Sequence, residues 1–185
     1  VNFNLGLCSS ATKQYQVAEL MQKPKLPTNE TMRLCALYRL EILDTPADER
    51  FDKITAKAKD YFDVDLALVS LIDADRQWFK SKQGLDAEET SRDISFCGHA
   101  INQDDIFYVK DARNDERFSD NPLVTGAPHI RFYAGAPIIS PDGYKVGTLC
   151  IIDSAPKELL PADLVMLRQM ADMVEQLLVE VALTT

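Results

Sequence analysis

The feature that most constrains this chain is a change of hydrophobic period near residue 66. Upstream, Phe51, Ile54, Ala58 and Tyr61 recur at spacings of 3, 4 and 3, which puts them on one buried helix face. Downstream, "LALVSLID" (66–73) is a mostly apolar run with β-branched residues, bounded by acids, and "RQWFKSKQG" (76–84) follows it at hairpin distance. "IFYVKDA" (106–112), "RFYAGAPIIS" (131–140) and "YKVGTLCIID" (144–153) extend the strand pattern. The last two flank "PDG", where proline fixes φ and glycine accepts positive φ. The period then returns to helical in "PADLVMLRQMADMVEQLLVEVAL" (161–183). Helices, two hairpins with a strand between them, and a closing helix predict an α+β domain: an antiparallel sheet of five or six strands with helices on one face.

The helical segments carry their own start and stop signals. "SSATKQYQVAELMQ" (9–22) reads as a helix that Pro24 and Pro27 terminate, so residues 1–28 are expected to be an N-terminal helix and linker, with the domain proper over 29–183. A second helix starts near Thr28 or Asn29 and carries Leu34, Leu37, Leu40 and Leu43. For the third, Thr45 is the expected cap, with Pro46 at the first helical position and Asp48 and Glu49 at the positive end of the dipole. In the closing helix, Leu164, Leu167, Ala171, Val174, Leu178 and Val181 alternate spacings of 3 and 4, beside a second stripe of Met166, Met170, Met173 and Leu177. Two stripes predict that one packs on the sheet and the other meets a partner helix, here a second copy; a single broad core face is the alternative reading.

Charge and cysteine usage exclude several function classes. The net charge of −9 is uneven: residues 1–28 carry three lysines against one glutamate, leaving −11 on the rest. Such a body repels phosphate backbones, so neither nucleic acid nor an anionic membrane surface is an expected partner. No run approaches a membrane span, and the start lacks the basic and apolar regions of a signal peptide. The four cysteines (Cys8, Cys35, Cys97, Cys150) form no CxxC, which removes zinc-ribbon and thioredoxin-type chemistry and predicts reduced thiols in the cytoplasm.

Residues 85–105 and 111–130 are long connections for a compact domain, and they hold the chemistry-bearing residues. "SFCGHAI" (95–101) places Cys97 and His99 two positions apart, with Ser95 as a helix cap and Gly98 allowing close backbone approach. A packed structural thiol, a ligand contact and a redox or catalytic thiol are the three readings; Cys-x-His is not a usual zinc spacing, and no metal is expected. Arg131 reads either as half of an ion pair with Asp93 or as a fork for an anion. Trp78 and Phe79 alternate, so one faces the helices and the other the loops. Tyr133 and Gly135 share a strand face, and the glycine leaves room there for a ligand or a loop.

"RLEILDTPADERFDKIT", "VSLIDADRQWFKSKQGL", "ETSRDISFCGHAI", "VKDARNDERFSDNPLVTG", "IRFYAGAPI" and "GTLCIID", taken in order, resemble a bacterial subfamily of GAF domains over about residues 29–180. Such domains commonly precede diguanylate cyclases, histidine kinases or PAS modules. The resemblance implies a GAF-like, PAS-related fold: an antiparallel sheet with terminal helices on one face, and on the other face loops over a pocket. It implies no particular ligand or cofactor. "NDERF" differs in order from the signature of cyclic-nucleotide GAF domains, and Cys97 precedes the position at which bilin-binding relatives attach chromophore. Free methionine sulfoxide reductases carry a Cys-Gly in a similar loop but need a second reactive cysteine upstream; the nearest here, Cys35, falls on a helix outside the sheet.

These readings converge on a non-enzymatic sensory or regulatory domain that passes a signal to an output domain through its terminal helices. A cavity lined by Phe96, Cys97, His99, Phe118, Arg131 and Tyr133 is expected to take a small anionic ligand, and the closing helix is expected to form a homodimer. The alternatives are a sulfoxide reductase using Cys97 and a ligand-free dimerisation module.

Overall fold

The structure, a computed structural model, describes residues 21–184. The helix expected over 9–22 and the thiol of Cys8 lie outside the described residues, apart from residues 21 and 22, which are not helical. Six strands, β1 (Leu66–Ile72), β2 (Arg76–Gln83), β3 (Glu89–Ser91), β4 (Phe107–Val109), β5 (Phe132–Ile139) and β6 (Lys145–Asp153), form one sheet in the order β3-β2-β1-β6-β5-β4. Every neighbouring pair is antiparallel. The two anticipated hairpins are β1–β2, closed by the Asp73 N–H on the Arg76 carbonyl at 2.9 Å, and β5–β6, whose turn places Gly143 at φ 84°. The sequence reading missed β3, three residues that lengthen the edge beside β2.

Helices α1 (Glu30–Arg39), α2 (Glu49–Phe62) and α5 (Pro161–Thr184) cover one face. Their apolar residues join Val69, Leu71, Trp78, Phe132, Ala134, Ala136, Ile138, Leu149 and Ile151 in a helix-side core. The opposite face carries Leu68, Phe79, Tyr133, Cys150 and Ile152 beneath the loops, including the short helices α3 (Phe96–Ala100) and α4 (Pro122–Thr125). Trp78 and Phe79 divide between these layers as their alternation predicts.

Three local expectations are corrected. Helix α2 starts three residues later than the Thr45 cap implies: Asp48 accepts from the Arg50 N–H at 2.9 Å, while Thr45 Oγ1 donates to the Ile42 carbonyl and accepts from Lys80 Nζ. Tyr61 is exposed, and the next residue, Phe62, turns inward in its place. On α5, Leu167, Ala171, Val174 and Leu178 are fully buried against α2 and the sheet. This stripe is therefore an intramolecular face, and Met170 of the second stripe is buried with it, as the single broad core face implies. Arg168 fixes its register by donating to the Pro137 carbonyl at 2.6 Å and pairing with Glu175 at 2.7 Å. The outward face of α5 exposes Val165, Met173, Val179 and Leu183 instead.

Residues 21–28, expected to be a linker apart from the domain, run as a strap across the loop side. The Lys23 ammonium pairs with Asp93, the His99 Nε2–H donates to the Gln22 carbonyl at 3.0 Å, and Asn102 Nδ2 donates to the Lys25 carbonyl at 2.9 Å. The strap's far end leads into α1, whose Glu30 takes two bonds from Arg33 (both 2.8 Å) and one from Arg92 at 2.6 Å. Arg33 also donates to the Ile72 carbonyl and Arg92 to the Asp73 carbonyl, so this buried triad joins α1, the β1–β2 turn and the 3-10 turn at Arg92–Ile94. Burial alone would raise the Glu30 pKa, but the hydrogen bonds from Arg33 and Arg92 outweigh it and hold the carboxyl at about 2.

Candidate functional site

Helix α3 is the centre of the loop layer, and its construction follows from four residues. Ser95 caps it by accepting the Gly98 N–H at 3.0 Å while its own hydroxyl donates to the Arg92 carbonyl at 2.8 Å. A Cβ on Gly98 would lie 2.6 Å from Ser95 Oγ and 2.7 Å from Pro24 Cγ, so glycine is what lets the strap lie directly on the helix. Cys97 points inward to the sheet and His99 outward toward the strap.

The six residues proposed from sequence divide into three groups. Phe96, Cys97, Phe118 and Tyr133 come together in one packed cluster, each no more than 2% exposed. Phe96 stacks on Phe118 with ring centroids 3.9 Å apart and planes within 9°, and Tyr133 lies 5.2 Å from Phe96. The space that Gly135 leaves is taken by Tyr133 itself, whose hydroxyl oxygen would sit 2.1 Å from an added Cβ. Arg131 does not pair with Asp93: its Nη1 donates to the carbonyls of Val124 at 2.8 Å and Ile130 at 3.0 Å, fastening the end of α4. The physical reason is that the Val124 carbonyl, left without a helical partner at the end of a four-residue helix, needs a donor, and Arg131 is in reach. His99 stands at the boundary, its ring edge-on to Phe118 at 4.9 Å and its other side on a cleft.

That cleft, about 650 Å³, lies between the strap, α3 and the β5–β6 turn. Lys23, Lys25, Arg33, His99, Arg117 and Lys145 line it together with Asn29 and Asn102, and among the described residues no carboxylate does. Four of these cations are paired with acids outside the lining: Lys23 with Asp93, Arg33 with Glu30, Arg117 with Asp115 and Lys145 with Asp104. Arg117 is further placed over the rings of Phe107 and Phe118, 4.7 and 5.4 Å from their centroids. Burial lowers the His99 pKa, the Arg117 charge adds to this, and the bond to the Gln22 carbonyl opposes it, so the ring is neutral at neutral pH. The cleft is thus walled by cationic side chains whose carboxylate partners stand behind the wall. Sequence reasoning missed Lys23, Lys25, Arg33, Arg117 and Lys145, which are scattered over more than a hundred positions. The one available signal was the excess of lysine in residues 1–28.

Beneath α3 the structure brings together two cysteines that the sequence keeps 53 positions apart: Cys97 Sγ lies 3.7 Å from Cys150 Sγ. The Tyr133 hydroxyl donates to Cys97 at 3.2 Å, and Ser70 Oγ lies 3.9 Å from Cys150.

A six-stranded antiparallel sheet with a strand order of this kind, helices on one face and a loop-covered cleft on the other, is the arrangement that the GAF resemblance implies, and the model of the GAF domain family matches residues 46–178. The chain belongs to the GAF family. A curated relative, a cyclic di-GMP phosphodiesterase of Pseudomonas aeruginosa, is 44% identical over 155 residues, 83% of this chain. The chain spans only 26% of that relative's length. Among solved structures, the GAF domain of an Acinetobacter phosphoenolpyruvate-protein phosphotransferase superposes with a TM-score of 0.58 at 19% identity, covering 80% of this chain and 93% of that one. A free methionine-R-sulfoxide reductase from Neisseria meningitidis, solved with its substrate, superposes with a TM-score of 0.59 at 16% identity, covering 90% and 98%. At such identities these two share the fold with this GAF domain and nothing more specific. Among the described residues, no helix is long and apolar enough to cross a membrane, and no three His, Cys, Asp or Glu side chains group as a metal site would require.

Proposed function

We propose that this GAF domain is a non-enzymatic regulatory module of a signalling protein, that its cleft binds a small anion, and that the terminal helices carry the bound state to an output domain. The observation that carries this reading is the cleft lined by five Lys or Arg side chains and a neutral His99, with no lining carboxylate among the described residues. Guanidinium and ammonium groups favour phosphate or carboxylate, and the surrounding net negative charge disfavours large polyanions. The similarity to a cyclic di-GMP phosphodiesterase makes cyclic di-GMP signalling the proposed context and nucleotides the first ligands to test. Binding would act as a population shift: a ligand that bridges the strap and α3 favours the arrangement in which residues 22–29 are docked, and these lead directly into α1. The proposed homodimer would use the outward residues Val165, Val179 and Leu183 of α5, since the inward stripe is already packed. The proposed location is the cytoplasm.

The test is a thermal-shift and calorimetric screen with inorganic phosphate, GMP and cyclic di-GMP. A ligand at 100 times its Kd adds about 2.7 kcal/mol of stability, and Lys25→Glu with Lys145→Glu should remove the shift without unfolding the protein. No shift with any anionic small molecule sinks the cleft reading.

One observation favours a second reading, sulfoxide reduction: the partner thiol missing upstream of Cys97 is supplied in space by Cys150. Both sulfurs are buried, however, and the expected result is no turnover of free methionine sulfoxide with dithiothreitol. Turnover that vanishes in Cys97→Ser would make the domain an enzyme.

A further inference from the structure

The two buried thiols stand out from the packing around them. They belong to the loop-side cluster with Phe96, Phe118, Phe79, Leu68 and Ile152, where a hydrophobic side chain would serve packing equally well. Three hydroxyls nevertheless converge on them. Tyr133 donates to Cys97, Ser70 lies beside Cys150, and Thr148, on the same strand face as Cys150, has a fully buried Oγ1 with no hydrogen-bond partner among the described residues. An unpartnered buried hydroxyl is costly unless some state of the site uses it. A thiolate at Cys97 is such a state, because it accepts hydrogen bonds far better than a thiol does. Burial opposes ionisation of Cys97, but the contacts with Cys150 and Tyr133, with the Thr148 and Ser70 hydroxyls close by, outweigh it and lower its pKa; burial pushes Cys150 well up. One member is thus disposed to attack and the other to stay protonated.

We propose that Cys97 and Cys150 form an intramolecular oxidation site, in which a hydroperoxide converts the dithiol to a disulfide between α3 and β6. In the first step the Cys97 sulfur attacks the terminal peroxide oxygen and the O–O bond breaks. The alcohol or water leaves with the thiol proton, and Cys97 becomes a sulfenic acid. In the second step the Cys150 sulfur attacks the Cys97 sulfur, the S–S bond forms, and the sulfenic hydroxyl leaves with the Cys150 proton as water. The two thiols lose two electrons and the peroxide gains them. An S–S bond of about 2.04 Å requires the sulfurs to close by about 1.7 Å from their 3.7 Å separation. Because α3 is one short helix carrying Cys97 on its inner side and His99 on the cleft, that closure moves the cleft wall. The strap lies over Gly98, and access of a small peroxide to the buried Cys97 is proposed to require opening of α3 and residues 22–25. This inference does not depend on the cleft's ligand and requires no sulfoxide reductase activity.

The experiment uses the full chain carrying Cys8→Ser and Cys35→Ser, whose remaining cysteines are Cys97 and Cys150. The folded protein is exposed to hydrogen peroxide well below its melting temperature, then alkylated in denaturant and mapped by mass spectrometry. The expected result is a product two hydrogens lighter that takes up no alkylating agent, yields a linked Cys97–Cys150 peptide and reverts with dithiothreitol. Adding Cys150→Ser should leave a sulfenic acid at Cys97 that dimedone captures, with circular dichroism confirming the fold. Two thiols that both alkylate after peroxide exposure would overturn the proposal. So would a link that forms only in urea, which would make the pair packing alone.

Discussion

The two faces of the sheet are built from different chemistry. The helix side is an aliphatic core with Phe51, Phe62, Trp78 and Phe132 set among leucines, isoleucines, valines and alanines, and it includes one buried hydroxyl pair, Thr55 with Ser81 at 2.8 Å. The loop side packs Phe79, Phe96, Phe107, Phe118 and Tyr133 around two thiols and three hydroxyls, and ends in a cleft lined with cations. Long helices satisfy their own backbone, so the first face needs only apolar stripes. Loops do not, and side chains must serve them: Arg131 for Val124, Asn121 for Ile94, Ser95 for Arg92 in the turn before α3, and Arg92 for Asp73 in the β1–β2 turn. Polar side chains brought in to satisfy loop backbone leave the second face with groups that can also bind or react. That is why the candidate site lies there.

The sharpest way to break this comparison is on α5. Leu178→Asp buries an unpaired carboxylate in the helix-side core and is expected to abolish cooperative folding. Its neighbour Val179 is 44% exposed and lies in the proposed dimer face, so Val179→Asp should change the stability of the folded protomer by less than about 0.5 kcal/mol while weakening self-association. Chemical denaturation of the two variants separates a core face from an interface. Should Leu178→Asp remain folded and become monomeric, the α5 stripe belongs to a dimer after all.

A smaller effect is expected where the two layers meet, at the Glu30–Arg33–Arg92 triad. Glu30→Gln leaves two buried guanidinium groups without their carboxylate and should cost about 3 kcal/mol in urea unfolding. The same group sets an acid limit. Its folded pKa of about 2 lies below the ordinary 4.5, so its stabilisation is complete above about pH 4.5 and is lost as the pH falls toward 2. A stability profile over pH 5 to 2 should therefore flatten in Glu30→Gln relative to the parent. An unchanged slope would assign the acid limit elsewhere.

The smallest effect tests the loop side. Tyr133→Phe removes the hydroxyl that donates to Cys97 and should cost about 1 kcal/mol, while the ring still fills the space above Gly135. Thiol titration should show the Cys97 pKa rising, because one of the bonds that lower it is gone. If stability and thiol titration are both unchanged, the hydroxyls around the pair are incidental.

Much of the architecture was legible in the sequence because it rests on periodicity. The alternation at Trp78 and Phe79, the "PDG" turn and the stripe through Leu167, Ala171, Val174 and Leu178 each name a buried face directly. What periodicity does not supply is the occupant of the other side, and so the same stripe was compatible with a partner helix or with the domain's own core. The α2 cap shows the same limit at short range. Thr45 is a suitable cap by type, but Lys80, 35 positions away, donates to its hydroxyl, and Asp48 takes the role.

The candidate site was legible only in part. "SFCGHAI" identified α3, its Ser95 cap and the need for Gly98, since these are local matters of backbone geometry. By itself the sequence determined the elements, their buried faces, the family resemblance and the charge imbalance of residues 1–28. Only the tertiary structure decided that Pro24 is what Gly98 admits, that Arg131 serves carbonyls, that five cations converge on one cleft and that Cys97 meets Cys150. The physical reason is that hydrophobic period and turn chemistry act over a few residues, whereas convergence of charges and thiols depends on strand order and loop path. Those are fixed only when the whole chain packs.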